Sequence, residues 1–144
     1  MKKHHKLSII ILLFGIILLV PDNNKRTVMI YIVGSNLETD AKIVTTDLAA
    51  IKPEKIDLNK TNILLYTGGT EKWHNFISSE DNGIYILKSN GFEKLESLEQ
   101  FNLGDPKTLT DFLNYGYKNY NADKYDLILY DHGGAIDGAI YDDL

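Results

Sequence analysis

The chain has 144 residues, room for one domain with a modest core. Its formal net charge is -5 and its body holds no cluster of Lys and Arg, which argues against nucleic acid as a partner. It contains no cysteine, so it carries no disulfide, no cysteine–zinc site and no cysteine nucleophile of its own.

The N-terminus has three parts. Met1-Lys2-Lys3-His4-His5-Lys6 is basic, Leu7 to Val20 is uncharged and broken only by Ser8 and Gly15, and Pro21-Asp22-Asn23-Asn24 ends the run. This is the layout of a secretory signal peptide. The run is short beside the roughly 20 apolar residues of a membrane-spanning helix. There is no clean small-x-small cleavage site and no lipobox cysteine. An uncleaved signal anchor therefore competes with a cleaved signal, and a buried N-terminal helix is a third reading. Residues 1–24 are set apart from a domain over residues 25–144, and membrane contact is expected only through the N-terminal apolar segment.

Thr27 to Val33 is nearly all β-branched, aromatic or apolar, as in a strand covered on both faces. Gly34-Ser35-Asn36 forms the turn, with Ser35 or Asn36 able to cap a helix from Leu37 to Ile51. Leu37, Ile43 or Val44, Leu48 and Ile51 give that helix an approximate apolar stripe, and Pro53 sits just past its end. Thr61 to Tyr66 is a second core strand, and strand–helix–strand predicts a right-handed parallel crossover. From Glu71 to Ser89 the pattern is less regular. Trp73 and Phe76 are expected to pack, Gly83 to Lys88 reads as a strand, and an Asn90-Gly91 turn would return the chain as Phe92 to Leu98. Asp105 is the expected N-cap of a helix with Pro106 in its first position. That helix runs to about Tyr120, with Leu109, Phe112, Leu113 and Tyr117 on its apolar face. Tyr125 to Tyr130 reads as a buried strand stopped by Gly133-Gly134, and Ala135 to Leu144 as loop.

In open parallel α/β sheets, ligands and catalytic groups collect outside the carboxyl ends of the strands. His132 stands there, directly after the last strand, and is the leading candidate site residue. The plainer alternative is a polar residue at a strand end whose glycines only make the turn. His4 and His5 belong to the basic leader, and His74 lies in a loop-like region where a surface role is expected. Thr67-Gly68-Gly69-Thr70 follows a strand but matches neither the Rossmann nor the P-loop fingerprint, so a tight turn is favoured over a phosphate cradle. Asp131, Asp137, Asp142 and Asp143 could hold calcium together with backbone carbonyls. Their spacing is not that of an EF-hand, and a solvated acidic loop is favoured.

Three blocks, in order, carry a resemblance. They are Thr27 to Glu38 (TVMIYIVGSNLE) with Ala41 and Asp47-Leu48 after it, Gly104 to Leu113 (GDPKTLTDFL), and Tyr125 to Gly134 (YDLILYDHGG). Together they resemble the clostripain family of cysteine peptidases (peptidase family C11, clan CD). Tyr130 stands where the family often has Trp, and Ala135 where it has a third Gly, both mild departures. The resemblance implies an α/β, caspase-like three-layer sandwich with a mostly parallel sheet, incomplete at the C-terminus. It implies a Cys–His dyad that cleaves peptide or protein substrates after Arg or Lys. His132 is then the catalytic histidine and the backbone N–H of Gly133 an oxyanion-hole donor. The chemistry is coherent: an imidazole assists the thiol or protonates the leaving amine, and backbone donors stabilise the tetrahedral oxyanion.

In the family the cysteine follows on the next core strand, in an Asp-Ala-Cys-like segment, with the acids of the basic-residue pocket in the same region. This sequence reaches Leu144 without one. The resemblance therefore implies a light-chain-like portion, from a truncated or split reading frame, inactive alone and dependent on a heavy chain carrying the cysteine. It also implies an extracellular protein, or one anchored on the outer face of a bacterial cell, with no required cofactor and calcium optional. Two alternatives stand beside it: a degenerate, non-catalytic caspase-like binding or regulatory module, and a small flavodoxin-like binding domain. The Tyr125–Tyr130 strand is expected to keep an open edge and an uncovered apolar face, so that the chain alone folds poorly or needs a partner.

Overall fold

In the computed structural model, the described residues are 24–132. The strands are β1 (Arg26–Val33), β2 (Thr61–Gly68), β3 (Asn82–Lys88), β4 (Gly91–Leu98) and β5 (Lys124–Tyr130). The helices are α1 (Ser35–Thr39), α2 (Ile43–Ala50) and α3 (Pro106–Asn119), with a 3-10 turn at Pro53–Lys55. The strands form one sheet in the order β4-β3-β2-β1-β5.

β1 is central because its apolar residues point alternately to both faces. It pairs parallel with β2, Arg26 opposite Thr61, and with β5, Arg26 opposite Lys124. β2, β3 and β4 continue antiparallel. The sheet is therefore mixed: the expected parallel character belongs to β2-β1-β5, and the β3–β4 hairpin extends it. Asp123 fixes where β5 begins. Its carboxylate accepts from the backbone N–H of Lys25 at 2.8 Å, and its own N–H donates to the Lys25 carbonyl at 3.0 Å.

One face of the sheet packs Met29, Tyr31, Leu64, Tyr66 and Ile84 beneath Phe112 of α3. Tyr31 stacks on Tyr66 with centroids 5.1 Å apart, and Tyr66 meets Phe112 at 5.4 Å. The other face packs Ile32, Leu65 and Tyr85 beneath Val44 and Leu48 of α2, with Trp73 beside them. Helix, sheet and helix make the three layers expected of the sequence. Burying two such faces is the main stabilising contribution, at about 25 cal/mol per Å² of apolar surface.

Five local expectations change. The helix expected over Leu37–Ile51 is two helices, broken at Asp40–Lys42, where Lys42 takes a left-handed φ of 57°. The cause is Glu38, whose carboxylate turns inward and accepts from the N–H of Thr45 in the first turn of α2. Neither Ser35 nor Asn36 caps α1; Gly34 occupies that place. The hairpin turns at Ser89-Asn90, because Gly91, at φ 115°, already pairs with Lys88. Phe76 is 54% exposed, stacked on Phe92 rather than sunk in the core. On α3 Phe112 is buried and Leu109 and Leu113 pack against the core as expected, but Thr108 and Gly116 join the buried line and Tyr117 is half exposed against Tyr125. Gly116 lies so close to β1 that a Cβ there would come within 2.4 Å of the Met29 sulfur.

β5 is not the buried strand its composition suggests; it has the open edge and uncovered apolar residues expected where later strands are missing. Among the described residues it is an edge strand, and Leu127, Ile128 and Leu129 are 42%, 45% and 43% exposed. No helix among the described residues is long and apolar enough to cross a membrane. The leader of residues 1–23, Gly133 and the expected loop from Ala135 to Leu144 lie outside the described residues.

Candidate active site

His132 follows β5 by two residues. Because Ile32 of β1 lies opposite Tyr130 of β5, the chain leaving β5 runs level with the chain leaving β1. That neighbour is Gly34-Ser35-Asn36. His132 Nε2 and Asn36 Oδ1 are 2.6 Å apart, and the backbone N–H of His132 donates to Asp131 Oδ1 at 2.6 Å. His132 and Asn36 are both exposed.

The turn that carries Asn36 is pinned over the end of β2. Gly34 N–H donates to the Gly68 carbonyl at 2.9 Å, and Ser35 N–H to the Gly69 carbonyl at 2.6 Å. The Thr70 hydroxyl donates to the Ser35 carbonyl at 2.8 Å. Ser35 itself is buried and left-handed, with φ 44°. Such a conformation costs a non-glycine residue about 1–3 kcal/mol and persists where its surroundings over-determine it. Gly34 must be glycine for another reason: a Cβ there would come within 2.7 Å of Thr70 Cβ.

Below this turn lies a polar knot. Glu38 is fully buried and accepts from Thr45 N–H at 2.9 Å, from the Thr45 hydroxyl at 2.5 Å and from His74 N–H at 2.9 Å. The His74 ring donates through Nε2 to the Thr39 carbonyl at 3.0 Å. His74 is thus half-buried and structural, where a surface role was expected. On the β5 side, the Tyr130 hydroxyl donates to Asp47 Oδ2 at 2.5 Å. The Tyr130 phenol is pushed up to about 12, first by burial, then by its bond to Asp47 and the charges of Asp47 and Glu38. The end of β5 is therefore tied to α2, and the residue beyond it to α1.

A cleft of about 210 Å³ opens beside Asn36, lined by Thr39, Asp40, Gly69, Thr70 and Glu71 as well. A cavity of about 420 Å³ lies elsewhere, between α3 and the β3–β4 hairpin, and shares no residue with the His132 cluster. Thr67 and Gly68 continue β2, so the expected tight turn does not span Thr67–Thr70; the chain leaves the strand at Gly69, left-handed at φ 63°. Among the described residues no group of three or more His, Cys, Asp and Glu is placed to hold a metal ion. Of the acids considered for calcium, Asp131 is described, whereas Asp137, Asp142 and Asp143 lie outside the described residues, as does Gly133.

The family model of the Clostripain family (Peptidase C11) matches residues 30–142. The chain belongs to the clostripain family. It is 28% identical over 130 residues to Clostripain from Hathewaya histolytica, covering 78% of this chain and 24% of that protein. The chain thus spans about a quarter of the length of that curated relative. Among solved structures it is similar to a B. fragilis cysteine protease, with TM-score 0.60 and 21% identity, covering 77% of this chain and 91% of that one. A clostripain from Bacteroides thetaiotaomicron in complex with the peptide inhibitor BTN-VLTK-AOMK gives TM-score 0.57 and 16% identity, covering 76% and 91%. A secreted C11 cysteine protease from Bacteroides thetaiotaomicron, in complex with an irreversible peptide inhibitor, gives 0.59 and 18%, covering 77% and 30%. The caspase-like α/β fold expected of the sequence is the fold of these C11 neighbours, here with the sheet open at β5 among the described residues.

Proposed function

We propose that this clostripain-family chain supplies the histidine half of an exported cysteine endopeptidase that cleaves after Arg or Lys. The carrying observation is the placement of His132 at the C-terminal end of β5, while the outer edge of β5 stays open among the described residues. A further strand on that edge would bring a thiol alongside the imidazole. His132 then takes the thiol proton and returns it to the leaving amine. The N–H of Gly133, next in sequence, serves the oxyanion. The chain holds no cysteine, so the nucleophile belongs to another segment, which we assign to a heavy chain. In support, this chain covers 91% of the matched polypeptide in two solved relatives but 30% in a third.

Preference for a basic residue is supported by two features. Asp40 and Glu71 line the cleft next to Asn36 and favour a cationic side chain nearby. The inhibitor bound by the B. thetaiotaomicron clostripain, BTN-VLTK-AOMK, has a peptide part ending in lysine. Export rests on the basic, apolar and polar leader, and on a fold neighbour described as secreted. The test is to produce this chain together with a cysteine-bearing clostripain-family segment and follow peptides with Arg, Lys or a neutral residue before the scissile bond. Cleavage of the basic peptides by the pair, and by neither part alone, is expected. A well-assembled pair that cleaves nothing would instead favour a non-catalytic caspase-like module.

A further inference from the structure

We propose that Asn36 is a positioning residue for His132: its Oδ1 accepts the Nε2 proton and leaves Nδ1 as the ring atom that exchanges protons with the reacting groups. The proposal rests on the reading of His132 as the peptidase histidine. The atoms in contact decide the direction of the bond. An amide oxygen has no proton, so at 2.6 Å from Oδ1 the Nε2 must be the donor. A neutral imidazole has one donor and one acceptor, and Nδ1 is then the acceptor. When Nδ1 takes a proton from a thiol, Nε2 keeps its own, and the same bond to Asn36 strengthens against the charged ring. The ring therefore has no need to turn during the proton transfer.

The scaffold around Asn36 shows why this contact is built rather than incidental. Ser35, just before it, is held left-handed by Gly69 and by the Thr70 hydroxyl. Two residues on, Glu38 N–H donates to the Gly34 carbonyl at 3.0 Å, and the Glu38 carboxylate is locked by Thr45 and His74. Asn36 thus sits between two fixed residues, on the turn that follows β1 level with the end of β5. A strained backbone at this point fits a side chain that must be aimed, since positioning within about 0.5 Å needs a rigid support. On the other side, β5 is held by the Tyr130–Asp47 bond, so both partners of the contact are anchored on the same face of the sheet.

Two measurements test the assignment. In the full chain labelled with nitrogen-15 histidine, NMR should show a His132 ring proton on Nε2 that is protected from exchange, and Asn36→Leu should remove the protection. A ring proton on Nδ1, or protection indifferent to Asn36→Leu, overturns the proposal. In the assembly with a cysteine-bearing segment, Asn36→Leu should lower kcat by about 10- to 100-fold with KM within about two-fold. Asn36→Asp, which only accepts hydrogen bonds, should retain kcat within about five-fold. Rescue by Asp separates this geometry from the opposite amide orientation, in which Asn36 would donate. Unchanged kcat in Asn36→Leu, or Asp as damaging as Leu, overturns the positioning role. A wild-type assembly that cleaves nothing sinks the peptidase reading and the catalytic role with it, while the NMR result still decides whether the bond exists.

Discussion

Replacing Glu38 with Ala should be among the most destabilising single changes near the site. The carboxylate is fully buried and accepts three hydrogen bonds, two from Thr45 and one from His74 N–H. Its removal leaves the two half-buried N–H groups without an acceptor, at about 1–3 kcal/mol each, and opens a small void. The losses are not additive for groups in one network, so a total of about 3 kcal/mol is expected. That is a large part of the roughly 5–15 kcal/mol that holds a typical domain. Urea unfolding can be read by fluorescence, because Trp73 is the sole tryptophan and adjoins His74. With a urea slope of about 1–3 kcal/mol/M, the midpoint should fall by about 1–3 M. Glu38→Gln keeps one acceptor oxygen and should fall between wild type and Ala. A midpoint shift below about 0.3 M for Glu38→Ala would show that the knot does not hold α1, α2 and the Trp73 loop together.

Other expectations follow from the same contacts. Gly34→Ala places a methyl 2.7 Å from Thr70 Cβ and should cost about 1–3 kcal/mol in urea unfolding; an unchanged midpoint refutes the close packing. The Tyr130 phenol is raised from 10.0 to about 12, so folding favours its protonated form. The stability this contributes is complete below pH 10 and lost as pH climbs toward 12, and Tyr130→Phe should remove that part of the alkaline dependence. Ultraviolet titration checks it directly: a phenol that ionises at its ordinary pH contradicts the Asp47 contact. The exposed Leu127, Ile128 and Leu129 on an edge strand should make the chain alone self-associate, and Ile128→Lys should shift it toward monomer in light-scattering chromatography. A wild-type chain that is monomeric with a cooperative thermal transition counts against an uncovered edge.

The strands of the parallel core could be read from the sequence because their residues carry one signal at every position. Thr27 to Val33 is apolar on both faces, and both faces are covered. The cap of α3 was equally plain, since Asp105 and Pro106 act locally; Asp105 does accept from Lys107 N–H at 2.8 Å. The break between α1 and α2 was hidden because its cause is a side chain folding inward: nothing local marks Glu38 as buried. The packed line of α3 was partly hidden because it runs through Thr108 and Gly116, which burial scales do not flag: close approach to Met29 selects Gly116, and the Thr108 hydroxyl donates to the Asn102 carbonyl. β5 misled by composition alone. Its Leu and Ile residues announce a covered strand, and among residues 24–132 nothing covers Leu127, Ile128 and Leu129. Around the candidate site, the placement of His132 after a strand was legible, whereas the contacts of Asn36, Glu38 and His74 were not. Asn36 meets His132 across 96 residues of sequence, and Glu38 meets His74 across 36.

The most direct test of the account is the rate of cleavage after Arg or Lys by the assembled pair, wild type against His132→Ala, with assembly measured in parallel by co-purification. An acid–base group contributes about 10²–10⁴-fold, so the account predicts a loss of at least about 100-fold with assembly unchanged. Cleavage retained within a few-fold by His132→Ala would contradict the role of this histidine, whatever the fold around it.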